Sequence, residues 1–126
     1  LFVPMAKWAM LIAGNYRCIG ANDMRPIQQA VHDDIDLSRA IYNQVVDLCI
    51  SLGSNPTDPV PFEKYAAAAQ SLGSPSSAAR ALASGAKNIE RADKLVQTIA
   101  RQRGQTIEGL DAIVALVDHW LTKNGA

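Results

Sequence analysis

The chain is 126 residues long, 48% hydrophobic and 19% charged, with 12 Lys+Arg balanced by 12 Asp+Glu. That length fits one domain and leaves no room for a second, and a formal charge of zero removes the overall attraction on which nucleic-acid and membrane-surface binding rest. Apolar material in this proportion buries enough surface to offset the entropy of ordering, which excludes a disordered chain.

The apolar run from Phe2 to Ala13, broken by Lys7 and followed by Asn15 and Arg17, is too short to cross a bilayer and lacks a signal-peptide cleavage pattern. It reads as a core helix. The chain opens on Leu1 rather than Met, within a hydrophobic phrase, as expected of a fragment of a longer protein. Cys18 and Cys49 stand far apart, in no C-x-x-C pair, so they read as buried thiols of a cytoplasmic protein rather than a disulfide or zinc framework. His32-Asp33-Asp34 has metal-ligand chemistry, but consecutive helical residues diverge by about 100°. It reads as a solvated face, and no metal is expected.

Leu37, Ile41, Val45, Leu48 and Leu52 then mark one stripe of a helix that ends at Gly53. Asp58-Pro59 carries the start signal of a helix through Phe62, Tyr65 and the alanines 66–69, closed by Gly73. Ser74-Pro75 repeats that signal for a small-residue helix ending near Gly85. Asn88 is placed to cap a helix carrying Ile89, Ala92, Val96 and Ile99, with Gly104 at its end. Thr106 is placed to cap the last helix, whose stripe is Ile107, Leu110, Ile113, Val114, Val117 and Leu121, with Glu108 and Lys123 complementing its dipole. His119, beside Trp120, reads as a polar position near its end. No alternating β-branched run competes, so the expected fold is an all-α bundle of about six or seven helices, residues 1–126 forming a single helical domain.

The chain has no G-x-G-x-x-G, no phosphate-binding P-loop and no G-x-S-x-G, so it offers no nucleotide cradle or nucleophile elbow, and a self-sufficient dehydrogenase or kinase is not expected. The opening helix is more informative. Lys7, Leu11 and Asn15 fall at i, i+4 and i+8 along one side, where an ammonium and an amide can share a cleft. Such a pair suits a keto acid: hydride addition turns the ketone oxygen into an alkoxide, which a lysine stabilises and protonates while an amide orients the substrate. The competing reading is a snorkelling surface lysine and an asparagine that merely ends the apolar run.

Three stretches in order, Lys7-Trp8-Ala9-Met10-Leu11-Ile12-Ala13-Gly14-Asn15, the helix from Val45-Val46 to Leu52-Gly53, and Ser76-Ser77 through Leu82-Ala83-Ser84-Gly85 to Asn88-Ile89-Glu90 and Gly104, resemble the C-terminal domain of ketopantoate reductases (2-dehydropantoate 2-reductases). The resemblance spans nearly the whole chain and implies the helical-domain fold of 6-phosphogluconate-dehydrogenase-like reductases. It also implies an N-terminal Rossmann domain, absent from this sequence, that binds NADPH. Under it Lys7 resembles the catalytic lysine, Asn15 the second of two substrate asparagines and Ser76 the substrate serine. Asn88 stands at the position of the family's glutamate, with Glu90 two residues on. Leu11 departs from the pattern at the first asparagine.

A second register, set on Trp8, puts Met10 at the lysine position and Gly14 and Cys18 at the asparagines, which would leave no site. Ser76, Asn88 and Glu90 also have bland readings, as a first-turn residue, an N-cap and the i,i+4 partner of Lys94. The implied activity is NADPH-dependent reduction of a 2-keto acid to a 2-hydroxy acid in the cytoplasm, with the fragment inactive alone. Expected partners are the substrate, the protein's own Rossmann domain and a second copy through an apolar face, with no nucleic acid and no membrane. The alternatives are a helical dimerisation or interaction module that has lost its site, and the helical domain of a β-hydroxyacid dehydrogenase, which also carries a lysine and an asparagine on one helix.

Overall fold

A computed structural model describes residues 4–125; Leu1, Phe2 and Val3, the start of the apolar opening run, lie outside the described residues. The described residues form seven helices and no strand, the all-α architecture expected from the sequence. The first, α1, runs through residues 5–18 in four consecutive pieces: a 3₁₀ turn Met5–Lys7, an α-turn Trp8–Met10, a π-turn Leu11–Asn15 and a 3₁₀ turn Tyr16–Cys18. It is followed by α2 (Ile27–His32), α3 (Ile35–Ser51), α4 (Phe62–Ala69), α5 (Ser77–Ala83), α6 (Ala92–Gln102) and α7 (Leu110–Gly125).

α1 is the central helix, its π-turn touching α2, α3, α5 and α6. Its composition allows this. Ala9, Ala13 and Gly14 are small and buried, so neighbouring helices approach closely, while Trp8, Ile12 and Tyr16 fill the remaining volume. A Cβ at Gly14 would sit 1.9 Å from the Tyr65 hydroxyl of α4. Beside that contact an aromatic group closes the α3–α4 seam, with Tyr42 stacked on Tyr65 at 5.5 Å between centroids and edge-on to Phe62 at 5.4 Å.

The α3 stripe is as expected: Ile41, Val45 and Leu48 are buried, and Gly53 follows at φ 106°. Its start is capped by Asp34, whose carboxylate accepts from the Leu37 N–H at 3.2 Å. The neighbours of Asp34 serve elsewhere, His32 bonded to the Ala66 carbonyl of α4 at 2.8 Å and Asp33 paired with Arg25 at 3.3 Å. The three side chains of that motif thus have three separate partners.

Four expected helix starts require correction. Asp58-Pro59 precedes a loop, and α4 begins only at Phe62 with Pro61 at its N-cap and no side-chain cap. α5 is capped by Ser76, not Ser74: the Ser76 hydroxyl accepts from the Ala79 N–H at 3.2 Å. Asn88 caps nothing, because residues 88–91 are loop and α6 starts at Ala92. Thr106 likewise precedes a turn through Gly109, at φ 70°, and α7 begins at Leu110. Gly73 closes no helix, since α4 ends at Ala69.

Candidate functional site

α1 carries its buried residues on every side but one. Lys7 is exposed and Met10, Leu11 and Asn15 are half-buried, so the Lys7–Leu11–Asn15 series is the uncovered stripe of an otherwise interior helix. The Tyr16 N–H reaches back to the Leu11 carbonyl, closing the wider turn between Leu11 and Asn15. Gly14 and Cys18, the asparagine positions of the Trp8 register, face the core: Gly14 meets Tyr65, and the fully buried Cys18 thiol donates to the Gly14 carbonyl at 3.6 Å.

Leu11, Asn15 and Tyr16 form one wall of a cleft of about 460 Å³, which Ser77, Ala78 and Ala81 of α5 and the loop residues Asn88, Ile89 and Glu90 complete. Three expected site residues, Asn15, Asn88 and Glu90, therefore meet there although the chain separates the first from the others by a long span. Lys7 does not line the cleft. It continues the stripe past Leu11, roughly 6 Å from that residue and 12 Å from Asn15 along the axis by helical rise.

Ser76 is 4% exposed and placed differently. Its hydroxyl donates to the Asn15 carbonyl at 2.7 Å while accepting from Ala79, so it ties the end of the π-turn to the start of α5. The hydroxyl that lines the cleft is its neighbour Ser77. A second groove of about 360 Å³ is lined by Asn15, Ser76, Ser77 and Arg80 among others.

The loop 88–91 owes its position to Tyr16. The phenol donates to the Glu90 carbonyl and accepts from the Ala92 N–H at 3.0 Å, and burial pushes its pKa up to about 12. A phenol in an apolar helix must find polar partners once buried, and this was the available sequence signal for a residue that motif reading passes over. Beyond the loop, Arg91 holds the fully buried Asp93 through two bonds of 3.0 and 2.9 Å and reaches Asp118 of α7 at 2.7 Å. Lys94 also pairs with Asp118, at 3.3 Å, rather than with Glu90. Burial works to lower the Arg91 pKa, but Asp93 and Asp118 outweigh it and hold the guanidinium above its usual range.

Among the described residues no group of three or more His, Cys, Asp or Glu is arranged to hold a metal ion, and no helix is long and apolar enough to cross a membrane. Compared with family models, curated proteins and solved structures, the chain matches none.

Proposed function

We propose that this chain is the helical substrate domain of an NADPH-dependent reductase of the ketopantoate-reductase kind, which converts a 2-keto acid to a 2-hydroxy acid in the cytoplasm. The observation that supports it is the cleft in which the uncovered stripe of α1 meets Asn88 and Glu90. This chain has no glycine-rich phosphate loop, so cofactor binding belongs to an N-terminal Rossmann domain of the whole protein. NADPH bound there supplies the hydride.

The Lys7 ammonium, on the exposed end of the stripe, faces that domain, stabilises the developing alkoxide and gives it a proton. The Asn15 and Asn88 amides orient the keto acid, and the Glu90 carboxylate accepts from its hydroxyl or amide groups. Ser76 acts through Asn15, since its one proton is committed to the Asn15 carbonyl. With Leu11 at an asparagine position, the substrate makes one polar contact fewer on this wall and is not required to be ketopantoate.

The test is an assay of the whole protein with NADPH and a panel of 2-keto acids, ketopantoate included. Lys7→Ala is expected to lower kcat by about 10²–10⁴-fold, and a loss of only a few-fold removes Lys7 from the acid role. The chain alone is expected to bind NADPH only weakly, and micromolar affinity would overturn the division of labour.

The exposure of Lys7 outside the cleft favours a second reading, a helical interaction module without chemistry. A stable dimer in sedimentation, with no keto acid turned over by the whole protein, would support that reading instead.

A further inference from the structure

A cavity of about 200 Å³ lies between the end of α1, α3 and α7. Its walls are mostly apolar, with Leu37 and Ile41 of α3 and Ile113 and Leu116 of α7 among them, yet two arginines, Arg17 and Arg25, line it and no acidic residue does. Arg17 is half-buried and rigidly held: its Nη1 donates to the Ala13 carbonyl at 3.1 Å and to the Ser38 hydroxyl. It forms no ion pair among the described residues. Arg25 donates through Nε to the Arg17 carbonyl at 3.0 Å and pairs through Nη1 with Asp33, which lies outside the cavity.

The remaining guanidinium N–H groups have no protein acceptor among the described residues, and no buried side-chain nitrogen lacks a partner. They are therefore accessible to solvent and to a ligand. Two like charges at one partly desolvated site repel, and burial first and the charge of Arg25 second hold Arg17 below its ordinary pKa against the opposing charge of Asp34, while Arg25 has only the exposed Asp33 as its ion-pair partner among the described residues. A guanidinium is the side chain best shaped for a carboxylate, and the apolar walls select an anion with a hydrocarbon body over a small hydrated one.

We propose that this cavity binds a short-chain aliphatic monocarboxylate, its carboxylate between Arg17 and Arg25 and its chain against Leu37, Ile41 and Leu116. The site shares one wall residue, Tyr16, with the cleft and stands whether or not the reductase reading holds. The test is an NMR titration of the ¹⁵N-labelled chain with hexanoate, with hexanol and acetate as controls lacking the charge or the chain. Saturable shifts are expected at the amides of Ile19, Leu37, Ile41, Gly109 and Leu116, with hexanol and acetate at least about tenfold weaker.

Arg17→Gln and Arg25→Gln are each expected to weaken hexanoate at least about tenfold, and Arg39→Gln, remote from the cavity, to leave it unchanged. If Arg17→Gln fails to fold for want of its Ala13 and Ser38 bonds, Arg25→Gln decides. Hexanol binding as well as hexanoate, an unchanged Arg25→Gln, shifts confined to Leu11 and Asn88–Glu90, or no saturation would each overturn the proposal.

Discussion

Gly14 shows how one missing atom sets the geometry of the candidate site. The carbonyl oxygen of Gly14 takes the Cys18 thiol, its neighbour Asn15 enters the cleft, and the space where its side chain would stand is filled by the Tyr65 hydroxyl. A methyl group placed 1.9 Å from that oxygen, and 3.3 Å from Val31, forces a rigid and buried ring to move. Gly14→Ala is therefore expected to destabilise the chain by about 1–3 kcal/mol, the usual cost of overpacking, even though alanine is the better helix former. Adding Tyr65→Phe removes the colliding oxygen and is expected to recover part of the loss. Urea unfolding of the two single variants and the double variant measures this as a double-mutant cycle, and strictly additive losses would show that the contact does not set the cost.

Elements are fixed by different amounts of local and distant information, and the Arg91 clamp is the clearest distant case. Asp93 is fully buried in the first turn of α6, where the helix dipole and two Arg91 bonds compensate its charge, whereas the side chain of Asp118 is 46% exposed. Asp93→Asn leaves Arg91 half-paired in a dry site and is expected to cost about 2–4 kcal/mol. Asp118→Asn removes a solvent-screened partner and is expected to cost under about 1 kcal/mol. Urea midpoints rank the two, and equal losses would show that burial does not govern the clamp.

That contrast also explains what could be read from the residues. The α3 stripe was legible because its periodicity and the Gly53 terminator are local, as were the helix ends at Gly85 and Gly104, both with positive φ. The helices expected to start at Asn88 and Thr106 start later because caps compete with tertiary partners: Tyr16 holds the Glu90 carbonyl and the Ala92 N–H, so that α6 begins only at Ala92, and Gly109 turns the chain before Leu110. Asn15 could be named as a candidate from its residue type and its spacing from Lys7, whereas Asn88 and Glu90 are named only through the family resemblance. Their meeting around one cleft depends on Tyr16 and on the Ser76–Asn15 bond, which no spacing encodes.

For the whole molecule the buried acids that ionise at high pH set one limit of stability. All three tyrosines, Tyr16, Tyr42 and Tyr65, and both cysteines are raised, with burial the leading cause in each. Cys49 moves from 9.0 to about 11 and Tyr16 from 10.0 to about 12. In the unfolded chain these groups lose their protons at their ordinary values, so between the two values the folded state binds more protons and stability falls as pH rises. The loss is absent below about pH 9 and, with several groups acting together, steepens between about pH 10 and 12, each tyrosine adding up to about 1.4 kcal/mol per pH unit. Phenolate absorbance is expected to appear together with the loss of helical circular dichroism, in one cooperative step. Three tyrosines ionising near pH 10 with the helices intact would mean that their hydroxyls are open to water, and the packing of Tyr16 against the 88–91 loop would not hold.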